Sequence, residues 1–127
     1  MVEAVGAHRR PGGLAFEDLA RYRVIEREPV CGAYRDYRVC SMAPPGGGVT
    51  VLQILGLLER SSFRGAAPNS PEAVHAFSEA ARLAFADRSF LADPAYVPQP
   101  VAGLLAADYL GARAQQIGER TDRKSVV

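Results

Sequence analysis

The chain of 127 residues has no tryptophan, two histidines, two methionines and two cysteines. Two cysteines are too few for a disulfide scaffold, and Cys31 and Cys40 lack the spacing of a zinc site. Lys124 is the only lysine; the other basic residues, histidines apart, are all arginine. The formal net charge is +1, which leaves no electrostatic footprint for nucleic acid or an anionic membrane surface. No apolar run approaches the ~18 residues of a membrane-spanning helix. The opening MVEAVGAHRRPGG lacks the charged, apolar, small-residue order of a signal peptide, which says little about any sequence upstream.

What is present argues for packing. Apolar residues make up 48% and charged residues 23%, without low-complexity tracts or internal repeats. Such a composition folds rather than staying disordered, and this length suits one small domain with a modest core.

Val2 to His8 reads as the last turns of a helix ended by Pro11-Gly12-Gly13. Phe16 to Tyr22 reads as a short amphipathic helix with acids in its first turn. Residues 22–29, rich in β-formers around Val24 and Ile25, predict with Val30 to Ser41 two or three short strands. Pro29 belongs at an edge or a strand entry, because it cannot donate to a ladder.

A two-residue turn at Arg35-Asp36 would pair Tyr34 with Tyr37, Gly32 with Val39, and Cys31 with Cys40. Pair types alternate outward from the turn, so the cysteines fall at a non-hydrogen-bonded site, where side chains lie closest. A disulfide fits there if the protein is exported; two small apolar side chains packed across a strand pair fit equally well. Arg-Asp is poor turn chemistry, having neither Gly nor Asn.

Ala43 to Gly48 is a loop by composition. Its glycine amides could approach an anion or another backbone, but a plain strand-to-helix connection is the favoured reading. No Gly-Lys-Ser/Thr follows, so it is not a phosphate-binding loop. From Val49 to Arg60, Val51, Leu52, Leu55 and Leu58 recur at helical spacing, widened by Ile54 and Leu57. That helix is apolar nearly all round and should be buried between layers, with Gln53 satisfying a local hydrogen bond.

Ser61 to Asn69 is a loop, and Ser70-Pro71-Glu72 starts a helix running to about Phe90. Val74, Phe77, Ala81, Ala84 and Phe85 are expected on one face, with Glu79, Arg82 and Asp87 largely elsewhere. His75 has no partner at metal spacing and reads as a solvated or core-edge side chain. Asp93 to Gly103, with prolines 94, 98 and 100, is an extended connector. A last helix, Leu104 to Ile117, would carry Leu105, Tyr109 and Ala112 on one side. A general acid–base site from Asp87, Asp93, Asp108 and His75 has little support, since caps and solvated faces explain such acids.

Four blocks in unbroken order resemble the C-terminal half of the gamma-glutamyltranspeptidase large subunit. They are PGGLAFEDLARYRVIEREPVCGAYRDYRV, CSMAPPGGGVTVLQILGLLE, the helix ending AARLAFADRSFLADP, and YVPQPVAGLLAADYL. There is one departure. The family usually reads Ser-Met-Pro-Pro-Pro-Ser-Ser-Gly-Gly-Val, whereas this chain reads Ser41-Met42-Ala43-Pro44-Pro45-Gly46-Gly47-Gly48-Val49. It is one residue shorter and lacks both serine hydroxyls.

The resemblance implies an α+β fold: part of the αββα sandwich of an N-terminal-nucleophile hydrolase, helices plus a few short strands, as an incomplete domain. It also implies a precursor that cleaves itself to expose a threonine, whose α-amine serves as base in attacking a γ-glutamyl amide. Water or an amino acid or peptide acceptor then resolves the acyl-enzyme. The implied partners are the remainder of the large subunit, the small catalytic subunit and small γ-glutamyl substrates. The implied location is periplasmic or extracellular, and no cofactor or metal is implied.

No catalytic or substrate-binding residue carries over. The nucleophile and oxyanion glycines belong to the small subunit, no Thr-Thr-His processing site occurs, and the threonines are Thr50 and Thr121. A cephalosporin or glutaryl acylase relative of the same fold is the close alternative, and a non-catalytic binding or assembly module the distant one. Residues 1–120 are expected to be large-subunit segment. Residues 121–127, with the isolated Lys124, are expected to be a non-native or disordered tail.

Overall fold

The computed structural model describes residues 1–120, so the expectation for 121–127 lies outside the described residues. Its centre is the helix Gly48–Arg60, the fifth element in chain order after the helices Val2–Gly6 (α1) and Phe16–Arg21 (α2) and the strands Val30–Tyr34 (β1) and Tyr37–Ser41 (β2). This central helix, α3, packs against both strands and against three later helices, Pro71–Asp87 (α4), Val101–Leu104 (α5) and Ala107–Ala114 (α6). Arg60 in its last turn bonds the Gly56 carbonyl at 3.1 Å, a cation where the helix dipole favours one.

The way into α3 is tight. The Gly48 N–H donates to the Met42 carbonyl at 3.0 Å, and a Cβ on Gly48 would run into that same oxygen and into Val30. Only glycine permits this return of the chain. At Gly56 a Cβ would meet Leu110 at 2.8 Å, so the missing side chain is what lets α6 approach.

β1 and β2 form an antiparallel hairpin with Tyr34 opposite Tyr37 and Cys31 opposite Cys40. The Cα atoms of the cysteines are 4.1 Å apart, as befits a non-hydrogen-bonded pair, and their sulfurs are in bonding contact. Residues 22–29 form no third strand; they lack a neighbour to ladder with, and Val24 and Ile25 remain exposed. Arg35 adopts a positive φ of 53°, and its N–H donates to Glu59 Oε1 at 3.0 Å, tying the turn to the end of α3.

α4 begins as its sequence indicates: Ser70 Oγ accepts the Ala73 N–H at 3.1 Å, with Pro71 opening the helix. Its buried face corrects the expectation. Ala76, Glu79, Ala80, Leu83, Ala84 and Asp87 face inward, while Val74, Phe77 and Phe85 are more than half exposed. The alanines let α3 come close, and arginines pair the two acids so that their burial is tolerated.

The expected single helix from Leu104 to Ile117 is broken at Leu105-Ala106. An unbroken helix would spend the Leu104 carbonyl on the Asp108 N–H; here it accepts from Gln53 at 3.3 Å. Leu105 and Tyr109 are half-buried and Ala112 is exposed, whereas Leu110, Ala114 and Ile117 are buried. With Leu57, Ala80 and Leu83 they make the core.

Candidate functional site

The strongest concentration of chemistry is a polar centre buried where α3, α4 and α6 meet. Asp87, at the end of α4, accepts from Arg113 at 2.7 Å, from the Tyr109 hydroxyl at 2.9 Å and from Gln53 at 2.9 Å. Tyr109 and Arg113 stand four residues apart on α6, so one face presents both to the same carboxylate. Burial, followed by the hydrogen bond and negative charge of Asp87, raises the Tyr109 hydroxyl above its ordinary pKa. Gln53 and Asp87 are 34 residues apart, so the expected local bond of Gln53 is instead a long-range one. Removing one partner from such a buried ion pair costs about 3–5 kcal/mol, against about 0–1 for an exposed one. The centre therefore staples three helices together.

The sequence signals for this centre were a lone polar Gln53 inside an apolar helix and the Tyr109/Arg113 spacing. Neither identifies Asp87 as the common partner. Beside it, Arg82 pairs Glu79 at 2.5 Å, and Arg88 reaches the Thr50 hydroxyl at 3.5 Å.

The acids and histidine weighed as an acid–base set are scattered. Asp93 bonds Arg27 at 2.9 Å, Asp108 bonds the next backbone N–H, and His75 Nε2 lies 2.7 Å from the Gly118 carbonyl with Phe63 edge-on to its ring. Five hydroxyls are committed to structure: Ser61, Ser78 and Ser89 donate to carbonyls within the preceding turn, Ser70 caps α4, and Thr50 is buried beside Arg88. Glu72 is held below the usual carboxylate pKa by its own backbone N–H and then by Ser70, as a first-turn acid should be. Among the described residues no three metal-ligating side chains cluster, and no helix is long and apolar enough to cross a membrane.

One cleft of about 240 Å³ lies between the hairpin tip and the start of α4, floored by Leu58, Phe63 and Phe77 and rimmed by Arg35, Glu59 and Arg64. That is smaller than the ~300 Å³ at which ligand pockets usually begin. Phe77 and Phe85 on α4 and Val51 on α3 are exposed. They are apolar side chains that the described residues leave uncovered.

A family model described as gamma-glutamyltranspeptidase matches residues 1–126. The glutathione hydrolase proenzyme of Escherichia coli (strain K12) is 41% identical over 112 residues, covering 86% of this chain and 19% of that protein. The acylase ACY 1 proenzyme of Pseudomonas sp. (strain SE83) is 43% identical over 105 residues, covering 80% of this chain and 19% of that protein. The crystal structure of Helicobacter pylori gamma-glutamyltranspeptidase aligns with a TM-score of 0.78 at 35% identity, over 90% of this chain and 33% of that one. The chain thus spans under a fifth of the length of these two relatives and a third of that solved chain.

Proposed function

We propose, because the chain belongs to the gamma-glutamyltranspeptidase family, that residues 1–120 are a large-subunit segment of an enzyme that cleaves γ-glutamyl amides. In the intact protein a threonine outside this segment forms the acyl-enzyme, and water or an amino acid or peptide accepts the glutamyl group. The segment is a scaffold: its polar centre fixes three helices, and Ser61, Ser70, Ser78 and Ser89 serve local structure. By itself it is inactive. Its partners are the rest of the large subunit and the small catalytic subunit, which would cover Val51, Phe77 and Phe85. The whole works in the periplasm or outside the cell, where Cys31 and Cys40 stay paired as a disulfide.

The family match across residues 1–126 carries this reading. A second reading has its own support. The acylase relative is as similar as the hydrolase one, at 43% against 41% identity. In that case the same scaffold serves cleavage of a glutaryl or cephalosporin side-chain amide.

A chimera tests the scaffold role. Residues 1–120 replace the matching segment of the Escherichia coli hydrolase proenzyme. The expected result is maturation into two subunits and turnover of a γ-glutamyl anilide, while the isolated chain shows none. A chimera that folds but neither matures nor turns over contradicts the scaffold role. Turnover by the rigorously purified isolated chain contradicts its inactivity.

A further inference from the structure

The sheet face turned away from α3 carries Cys31 and Ala33 on β1 and Arg38 and Cys40 on β2. Alternate residues project to one side, and Gly32 faces Leu52 on the other. Cys40 is exposed and Cys31 half-buried. A shallow depression is lined by Cys31, Arg35, Asp36 and Arg38; the Arg35 guanidinium lies over the Tyr34 ring, which leaves Arg38 as the cation on the cysteine face. We propose that the Cys31–Cys40 pair is a thiol–disulfide exchange site for small anionic thiols, and that exchange there releases the root of the hairpin. Neither the strand register nor the charges around it depend on the family assignment.

The chemistry balances with the thiol as reductant. An incoming thiolate attacks the exposed Sγ of Cys40; the new sulfur–sulfur bond forms as the Cys31–Cys40 bond breaks, and the electron pair leaves on Cys31. Arg38, which lines the depression with Cys31 on the same sheet face, favours departure of the thiolate from Cys31. A second thiolate attacks the thiol-derived sulfur and releases Cys40 as thiolate. Two thiols are thereby oxidised to one disulfide, and the protein disulfide is reduced to two thiols. The same Arg38 charge draws an anionic thiol toward the depression and does nothing for a cationic one.

Unlatching has a defined reach. A two-stranded hairpin is marginal alone, and this one turns through an arginine at positive φ. Freed of its cross-link, it frays at the hydrogen-bonded pairs Gly32–Val39 and Val30–Ser41. Met42 follows directly, and its carbonyl holds the Gly48 N–H at 3.0 Å, so fraying runs up to the first turn of α3 and stops at the core.

The test uses the full chain, secreted through an oxidising compartment, with two simple thiols lacking any γ-glutamyl bond: anionic 3-mercaptopropionate and cationic cysteamine at equal thiolate concentration. The anionic thiol is expected to open the bond roughly tenfold faster at low salt. That preference vanishes at ~1 M salt, where the screening length is about 3 Å, and in Arg38→Gln. Alkylation and peptide mapping place the trapped adduct on Cys40. The amides of Gly32 and Val39 then exchange faster while those of Leu57 and Leu83 do not. Equal rates for the two thiols overturn the proposal, as do an adduct on Cys31 alone, protection lost equally at Leu57 and Leu83, or cysteines that remain free thiols.

Discussion

At the scale of single residues, Tyr109 reports on the polar centre. Its hydroxyl donates to Asp87, and burial with that neighbour raises its pKa above the ordinary value of 10.0. The sign follows directly. Above that value the unfolded chain loses the phenolic proton while the folded chain keeps it. The stabilisation is therefore complete below the ordinary value and is lost as pH rises through the raised one. The melting temperature should fall more steeply above pH ~10 in the parent chain than in Tyr109→Phe, which has no proton to lose. At neutral pH that variant should be about 1.5–3 kcal/mol less stable, the loss of one hydrogen bond to a charged acceptor. Parallel melting curves for the two proteins across the alkaline range would show that the Tyr109–Asp87 contact does not form.

At the scale of elements, the hairpin forms in spite of its turn residues. Arg35 at φ 53° bears a left-handed conformation that costs a side chain about 1–2 kcal/mol. Glu59 and the cross-strand cysteines hold the two ends in compensation. Arg35→Gly keeps the N–H that bonds Glu59 and should raise stability by about 0.5–1 kcal/mol, strain relief less the entropy of glycine. A lower urea midpoint in that variant would mean that the contact of Arg35 with the Tyr34 ring, at 5.3 Å, outweighs the strain. The hairpin register was legible because a two-residue turn leaves one pairing for ten strand residues. The start of α4 was legible because Ser70-Pro71 is local chemistry. The inward face of α4 was not: helical spacing collects Val74, Phe77 and Phe85 on one side but cannot say whether the cover for that side lies on the same chain. Nor was the α5–α6 break, which depends on an amide 51 residues away from the carbonyl it captures.

At the scale of the whole molecule, apolar surface is left over. The chain is an incomplete α+β part of an N-terminal-nucleophile hydrolase sandwich, and Phe77 and Phe85 are exposed on α4. Phe77→Ser with Phe85→Ser should move the isolated chain toward monomer in sedimentation, with far-ultraviolet circular dichroism unchanged. Loss of helicity instead would place those rings inside this chain's own packing. No reactive centre was legible among the residues: of the two threonines, Thr50 is buried in α3 and Thr121 lies beyond the described residues. The central helix has a different consequence. Because α3 is clasped by the hairpin on one flank and by α4, α5 and α6 on the others, severing the polypeptide within 48–60 would strand both pieces without a centre. The exposed stretch 91–100 is where a two-piece version could be cut, its C-terminal piece finding its way back by seating Leu110 against Gly56.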